Sequence, residues 1–168
     1  MSLLGIDVGT SGCKSAVFTT DGRLLASAYA EYDIRHPRPG WAELDSVEVW
    51  TKVQRTVARA AAEAHGDPVR ALAVSSLGEA MVPVSADRRL LGPSILNFDA
   101  RGDEYVSGLA SAVDPAELYR ISGNTLGNHF GLTKLMWLRD HATATYREAH
   151  RFLLWGSLVS HLFGAEPV

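Results

Sequence analysis

Leu3-Leu4-Gly5-Ile6-Asp7-Val8-Gly9-Thr10-Ser11-Gly12-Cys13-Lys14, running on into Ser15-Ala16-Val17-Phe18, is the stretch that decides the fold. One apolar run breaks at a single acidic residue, turns through glycines and hydroxyls, and returns as a second apolar run ending at Thr19-Thr20-Asp21-Gly22. Asp-Gly between apolar runs is a hairpin-turn signal, so the stretch reads as strand, loop, strand, turn. Gly9 and Gly12 allow close backbone approach to a ligand, Thr10 and Ser11 add hydroxyl donors, and Lys14 brings a point charge, a combination suited to phosphate. Asp7 repels phosphate and instead suits a divalent cation held through water. The same residues also describe an ordinary hairpin in which Asp7 caps the loop. The pattern is neither Gly-Lys-Ser/Thr opening a helix nor Gly-x-Gly-x-x-Gly, which excludes the two commonest nucleotide fingerprints.

A chain of 168 residues, 46% hydrophobic and 21% charged, is long enough for one domain with a buried core. A net charge of −3 with no block of like charge gives no footprint for nucleic acid or an anionic membrane, and neither is expected as a partner. No apolar run reaches the roughly 18 residues of a membrane span and no signal pattern opens the chain, so a cytoplasmic location is expected. The one cysteine, Cys13, excludes an internal disulfide and reads as a small packing residue.

Residues 23–32 alternate as a third strand, completing a meander. His36-Pro37-Arg38-Pro39-Gly40-Trp41 forbids regular structure and reads as a loop presenting an aromatic ring, either a packing anchor or a ligand contact. Asp45-Ser46-Val47-Glu48 is a capping box, and Val47, Trp50, Val53, Val57, Ala60, Ala61 and Ala64 mark the apolar face of the helix it opens. Residues 70–75 then read as a short buried strand, predicting a mixed sheet with helices on its faces. Gly78 and Glu79 follow that strand where ligands bind in open α/β sheets, although Glu79 is equally a solvated loop charge. Residues 81–84 and 90–98 read as further strands. Asp99 to Ala112 and Asp114 to Ile121 read as helices, with Asp99 capping the first and pairing with Arg101. A helix starts at Gly131, its Lys134 expected at the surface, and residues 152–155 and 158–164 give a last strand and helix.

Gly5-Ile6-Asp7-Val8-Gly9-Thr10-Ser11-Gly12-Cys13-Lys14 resembles the first phosphate loop of the actin-like ATPases, and most that of the FGGY carbohydrate kinases. Further segments are similar in the same order: Pro39-Gly40-Trp41-Ala42-Glu43-Leu44-Asp45 with Trp50, the loop at Gly78-Glu79, Ile95 to Arg101, and Lys134-Leu135-Met136-Trp137-Leu138. Leu77, Gly78 and Asn97 depart from the family pattern, which has glutamine, a large side chain and tryptophan there. The resemblance implies an α/β, ribonuclease H-like domain of the actin-like ATPase/sugar kinase type, a mixed sheet with an antiparallel meander flanked by helices. It implies ATP-dependent phosphorylation of a sugar or polyol hydroxyl, xylulokinase-like, with ATP and Mg²⁺ as cofactors. Asp7 would organise Mg²⁺ through water, Gly9, Thr10, Ser11 and Lys14 would bind phosphate, and Trp41, Gly78, Glu79, Asp99 and Arg101 would face the sugar. It matches residues 1–168 to the N-terminal, sugar-side part of that family, with the general base and the C-terminal ATP-binding domain lying beyond it, so that the chain alone is expected to be inactive. A sugar-binding module without kinase activity is the alternative, and a homodimer is compatible with either.

Overall fold

The computed structural model describes residues 1–166, so the last two positions of the expected 1–168 domain lie outside the described residues. The opening meander forms as expected: β1 (Ser2–Val8), β2 (Gly12–Thr19) and β3 (Leu24–Glu31) are sequential antiparallel neighbours. The chain passes through the two-residue strand β4 (Glu43–Leu44) into helix α1 (Ser46–Glu63) and returns as β5 (Val69–Ser76), parallel to β1. The first sheet therefore has the order β3-β2-β1-β5. The mixed sheet has its physical origin in the connections, since a tight turn permits only antiparallel pairing while a helix carries the chain back to a parallel start.

Alternation along β1 sends Leu4, Ile6 and Val8 to one face, where they meet the buried side of α1. Asp45 caps that helix, its carboxylate accepting from the amides of Val47 and Glu48 at 3.0 and 2.9 Å. Glu48 does not complete the capping box; its carboxylate takes Lys52 at 2.7 Å and Arg35 at 3.3 Å. The buried stripe is also rotated from the expected one. It runs Ser46, Val49, Val53, Thr56, Ala60, while Val47 is 59% exposed. A hydroxyl enters this stripe because a partner waits: Thr56 Oγ1 lies 2.9 Å from Ser15 Oγ across the core.

β5 departs from its expected burial. Ala71, Leu72 and Ala73 are exposed because the strand is the sheet's edge, paired only with β1. Burial passes instead to β6 (Met81–Val84), all four residues of which are buried in a second sheet. That sheet has the order β4-β7-β6-β8, where β7 is Ser94–Ile95 and β8 is Arg151–Leu154. The expected strand over 90–98 contracts to β7 plus one bridge from Leu90 to Val84, because Gly92-Pro93 interrupts the ladder.

Between β7 and β8 lie α2 (Val106–Ala112), α3 (Pro115–Ser122), α4 (Gly131–His141) and α5 (Thr143–Glu148); α6 (Trp155–Leu162) follows β8. The helix expected from Asp99 begins later, with a 3₁₀ turn at Asp103–Tyr105 leading into α2. Gly102 explains the delay: its φ is +88°, and a Cβ there would lie 2.5 Å from the Thr133 carbonyl oxygen. The sequence 99–102 is therefore a turn pressed against α4, and Asp99 caps no helix.

Candidate active site

Two loops leave the same end of the first sheet. Val8 and Ser76 are register partners in the parallel pair, and the Leu77 amide donates to the Val8 carbonyl at 2.8 Å. Gly9-Thr10-Ser11 and Gly78-Glu79 thus emerge side by side at strand C-termini, the end where open α/β sheets bind ligands.

In the first loop, Asp7 and Lys14 are cross-strand partners, both exposed, beside an open groove of about 400 Å³ that also touches Gly5, Phe18, Ala73 and Ser75. The Gly9 amide donates to the Gly12 carbonyl at 2.9 Å, and the Gly9 carbonyl accepts from the Tyr32 hydroxyl at 2.7 Å. Gly9 therefore shapes the hairpin rather than offering its own amide. What the loop leaves uncommitted are the amides and hydroxyls of Thr10 and Ser11, which have no partner among the described residues. Gly12 is small for a local reason, since a Cβ would press into the Tyr29 phenol ring carbon at 2.7 Å. Cys13 is fully buried and burial pushes its thiol up, consistent with packing rather than nucleophilic chemistry.

Glu79 sits at φ +54°, a strained conformation for a residue with a Cβ, and its carboxylate is held by the Gly131 amide at 2.5 Å, at the start of α4. Gly78 is exposed, with open space around the position a Cβ would take.

Trp41, Asp99 and Arg101 come together in direct contact. The Arg101 guanidinium forks onto Asp99, Nε to Oδ1 at 2.9 Å and Nη2 to Oδ2 at 2.6 Å, and also reaches Glu43 Oε2 at 2.7 Å. Its Cζ lies 4.0 Å from the Trp41 ring centroid and 5.3 Å from that of Trp137. Asp99 has no exposed surface and also accepts from the amides of Arg101 and Ala42. Burial alone would raise the Asp99 pKa; the Arg101 side chain and the two amides outweigh it and hold the carboxyl below its usual range. Burial likewise works against the Arg101 charge, and Asp99 and Glu43 overcome it. Asp99 is thus committed to the protein, while the partly exposed Trp41 ring is the surface this cluster presents.

Lys134 is not at the surface. It is fully buried, its ammonium donating to the carbonyls of Asp99 at 2.7 Å and Arg101 at 2.8 Å. Burial pulls its pKa down to about 8. Sequence reasoning placed Lys134 at the surface and gave no site role to Glu43, Asn128 or Gly131. A signal for Lys134 existed, because it lies one turn from both Gly131 and Leu138 on the buried side of α4. No hydrogen bond or ion pair among the described residues joins the Asp7–Lys14 pair to the Asp99–Arg101 cluster. Nor does any group of three or more His, Cys, Asp or Glu side chains among them converge on a metal position. Among the described residues, no helix is long and apolar enough to cross a membrane.

Comparison with known proteins agrees with this geometry. Residues 2–166 match the model of the FGGY family of carbohydrate kinases, N-terminal domain. A glycerol kinase from Delftia acidovorans is 33% identical over 152 residues, covering 89% of this chain and 30% of the relative. A xylulose kinase from Staphylococcus xylosus is 27% identical over 154 residues, covering 90% of this chain and 32% of the relative. Among solved structures, the xylulose kinase from Rhodospirillum rubrum superposes with a TM-score of 0.86 at 23% identity, covering 96% of this chain and 34% of that one, a likeness of fold. The chain spans about a third of the length of these relatives. With the family's N-terminal domain model matched across residues 2–166, the chain belongs to the FGGY family of carbohydrate kinases, as its N-terminal domain.

Proposed function

We propose that this chain supplies the sugar-facing half-site and the first phosphate loop of a kinase that transfers phosphate from ATP to a hydroxyl of a sugar or polyol. The observation that carries the reading is the shared exit of the two loops: the uncommitted Thr10-Ser11 turn and the Glu79 loop leave adjacent ends of β1 and β5, tied by the Leu77–Val8 bond. Phosphate donor and hydroxyl acceptor must meet in line, and adjacent loops are how a fold arranges that.

The residues present fit MgATP. Thr10 and Ser11 offer unpaired donors, and exposed Lys14 has no ion-pair partner among the described residues. Asp7, exposed beside Lys14, would hold Mg²⁺ through water and keep it on the phosphates. Bound MgATP supplies the phosphoryl group and neutralises part of its charge. On the acceptor side, Glu79 would accept from vicinal hydroxyls while Trp41, with Arg101 behind it, would back the carbon skeleton. The general base, in this reading, comes from outside residues 1–168, as does the rest of the adenosine pocket.

The test is acceptor binding by the chain together with ADP formation. Calorimetry with D-xylulose, gluconate and glycerol should give weak heat for one of them, lost in Glu79→Gln, with no acceptor-dependent ADP. The protein completed with its nucleotide domain should form ADP with that acceptor, and Asp7→Asn should lower the rate by about 100-fold or more. Asp7-dependent phosphorylation by the isolated chain would overturn the half-site assignment, and an absence of heat with every acceptor would overturn the sugar-facing one.

A further inference from the structure

The site's substrate-facing loops are distant in sequence, yet one helix touches all of them. At its first residue, α4 gives the Gly131 amide to Glu79. One turn on, Lys134 donates to the carbonyls of Asp99 and Arg101, the two that bracket Ala100. One turn further, Trp137 meets Trp41 edge-on at 5.3 Å between centroids and lies 5.3 Å from the Arg101 guanidinium. The turn that Lys134 grips is in turn zipped to the Trp41 loop, through Ala100 N to the Gly40 carbonyl at 2.8 Å and Ala42 N to Asp99. Asn128, just before α4, adds its side-chain amide to the Asp99 carbonyl at 2.9 Å.

A charged amine is an expensive group to bury for mere packing, and methionine would fill the same space. What lysine adds is a forked donor joining two carbonyls two residues apart, which fixes the direction in which Arg101 leaves its turn. We propose that Lys134 is a positioning residue of the substrate site: it locks the Asp99–Arg101 turn onto α4 so that the Arg101 guanidinium stays seated on the Trp41 ring. The consequence for substrate rests on the sugar-site reading above; the consequence for Trp41 does not.

The groups facing the Lys134 ammonium are Asp99 and Arg101 from the turn and Asp103 and Glu104 from the 3₁₀ segment. Its charge changes within an accessible range, which permits a test on the unmodified chain. The near-ultraviolet circular dichroism of the Trp41–Trp137 pair, assigned with Trp41→Phe and Trp137→Phe, should step with a midpoint near pH 8. Lys134→Met should lose the step and weaken the band while far-ultraviolet dichroism is retained. Lys134→Gln, which keeps two N–H donors without a charge, as the deprotonated amine does, should hold the band at the level the unmodified chain reaches at high pH and show no step. In the sugar arm, Lys134→Met should weaken acceptor binding about tenfold and Lys134→Gln much less. A band from the unmodified chain that is invariant from pH 6.5 to 9.5, or a Lys134→Met band identical to it, overturns the proposal. Should Lys134→Met fail to fold, the unmodified titration and Lys134→Gln decide the matter. If no acceptor gives heat with the unmodified chain, the sugar reading fails while the tryptophan band still decides the role of Lys134.

Discussion

Arg101 is held by two carboxylates, Asp99 and Glu43, in a volume it shares with a second buried cation, Lys134, so the cluster balances two charges of each sign. Such a group tolerates replacement as a whole far better than the loss of one member, because a lone buried charge has neither water nor partner. Asp99→Ala should therefore cost about 3–5 kcal/mol in denaturant unfolding at pH 7, far above the typical surface substitution. The pH dependence has the same sign for both groups, stability rising with pH, but in different windows and for opposite reasons, since the fold favours the charged form of Asp99 and disfavours that of Lys134. The folded-state pKa of Asp99 is depressed, so its contribution is present above the ordinary value near 3.8 and is lost as pH falls through the folded value. The folded-state pKa of Lys134 is also depressed, from 10.5 to about 8, and for a cation this means the unfolded chain binds more protons between those values. Stability from Lys134 therefore rises with pH from about 8 to 10.5, by an amount on the order of 3 kcal/mol. Urea unfolding at pH 8 and pH 10 should show this rise in the natural chain and its disappearance in Lys134→Met.

At the scale of single elements, what the sequence discloses is what residues within one turn of each other decide. The Asp45 cap, the Asp114-Pro115 start of α3 and the Gly22 turn after β2 all stand where local chemistry puts them. Asp45→Ala should accordingly remove about 1 kcal/mol, since two amides of α1 lose their acceptor, while the Glu48–Lys52 pair persists; thermal unfolding against Glu48→Ala separates the two. The errors share a different origin. The α1 stripe is rotated because Ser15, from another element, makes Thr56 a comfortable core residue. β5 is exposed because nothing in an apolar run tells whether a neighbour lies on its far side. Lys134 is buried because carbonyls some 30 residues earlier await it. The candidate site was legible to the same degree: its exposed members stand in motifs, whereas the groups that hold them are identified only by tertiary partners.

Across the whole molecule, packing is uneven in a way that has consequences for motion. The first sheet with α1, and the second sheet with α6, hold nearly all of the buried apolar side chains. By contrast α2 and α3 contain no buried residue, and Val113, Tyr119 and Ile121 are largely exposed along them. Their attachment to α4 is apolar and loose, leaving a cavity of about 120 Å³ among Leu109, Val113, Leu118, Phe130 and Leu132. Helices of seven and eight residues are too short to persist on propensity alone, so their order depends on this weak contact. α2 and α3 are therefore the part of the fold whose opening costs the buried core least. Local opening free energies should follow that division. Native-state hydrogen exchange should find the amides of Leu118 to Ser122 exchanging at least about 1000-fold faster than those of Leu4 to Val8, and doing so independently of denaturant at low concentration. Equal protection in the two segments would mean that α2 and α3 unfold only with the core, and their order would then not depend on their own weak contact with α4.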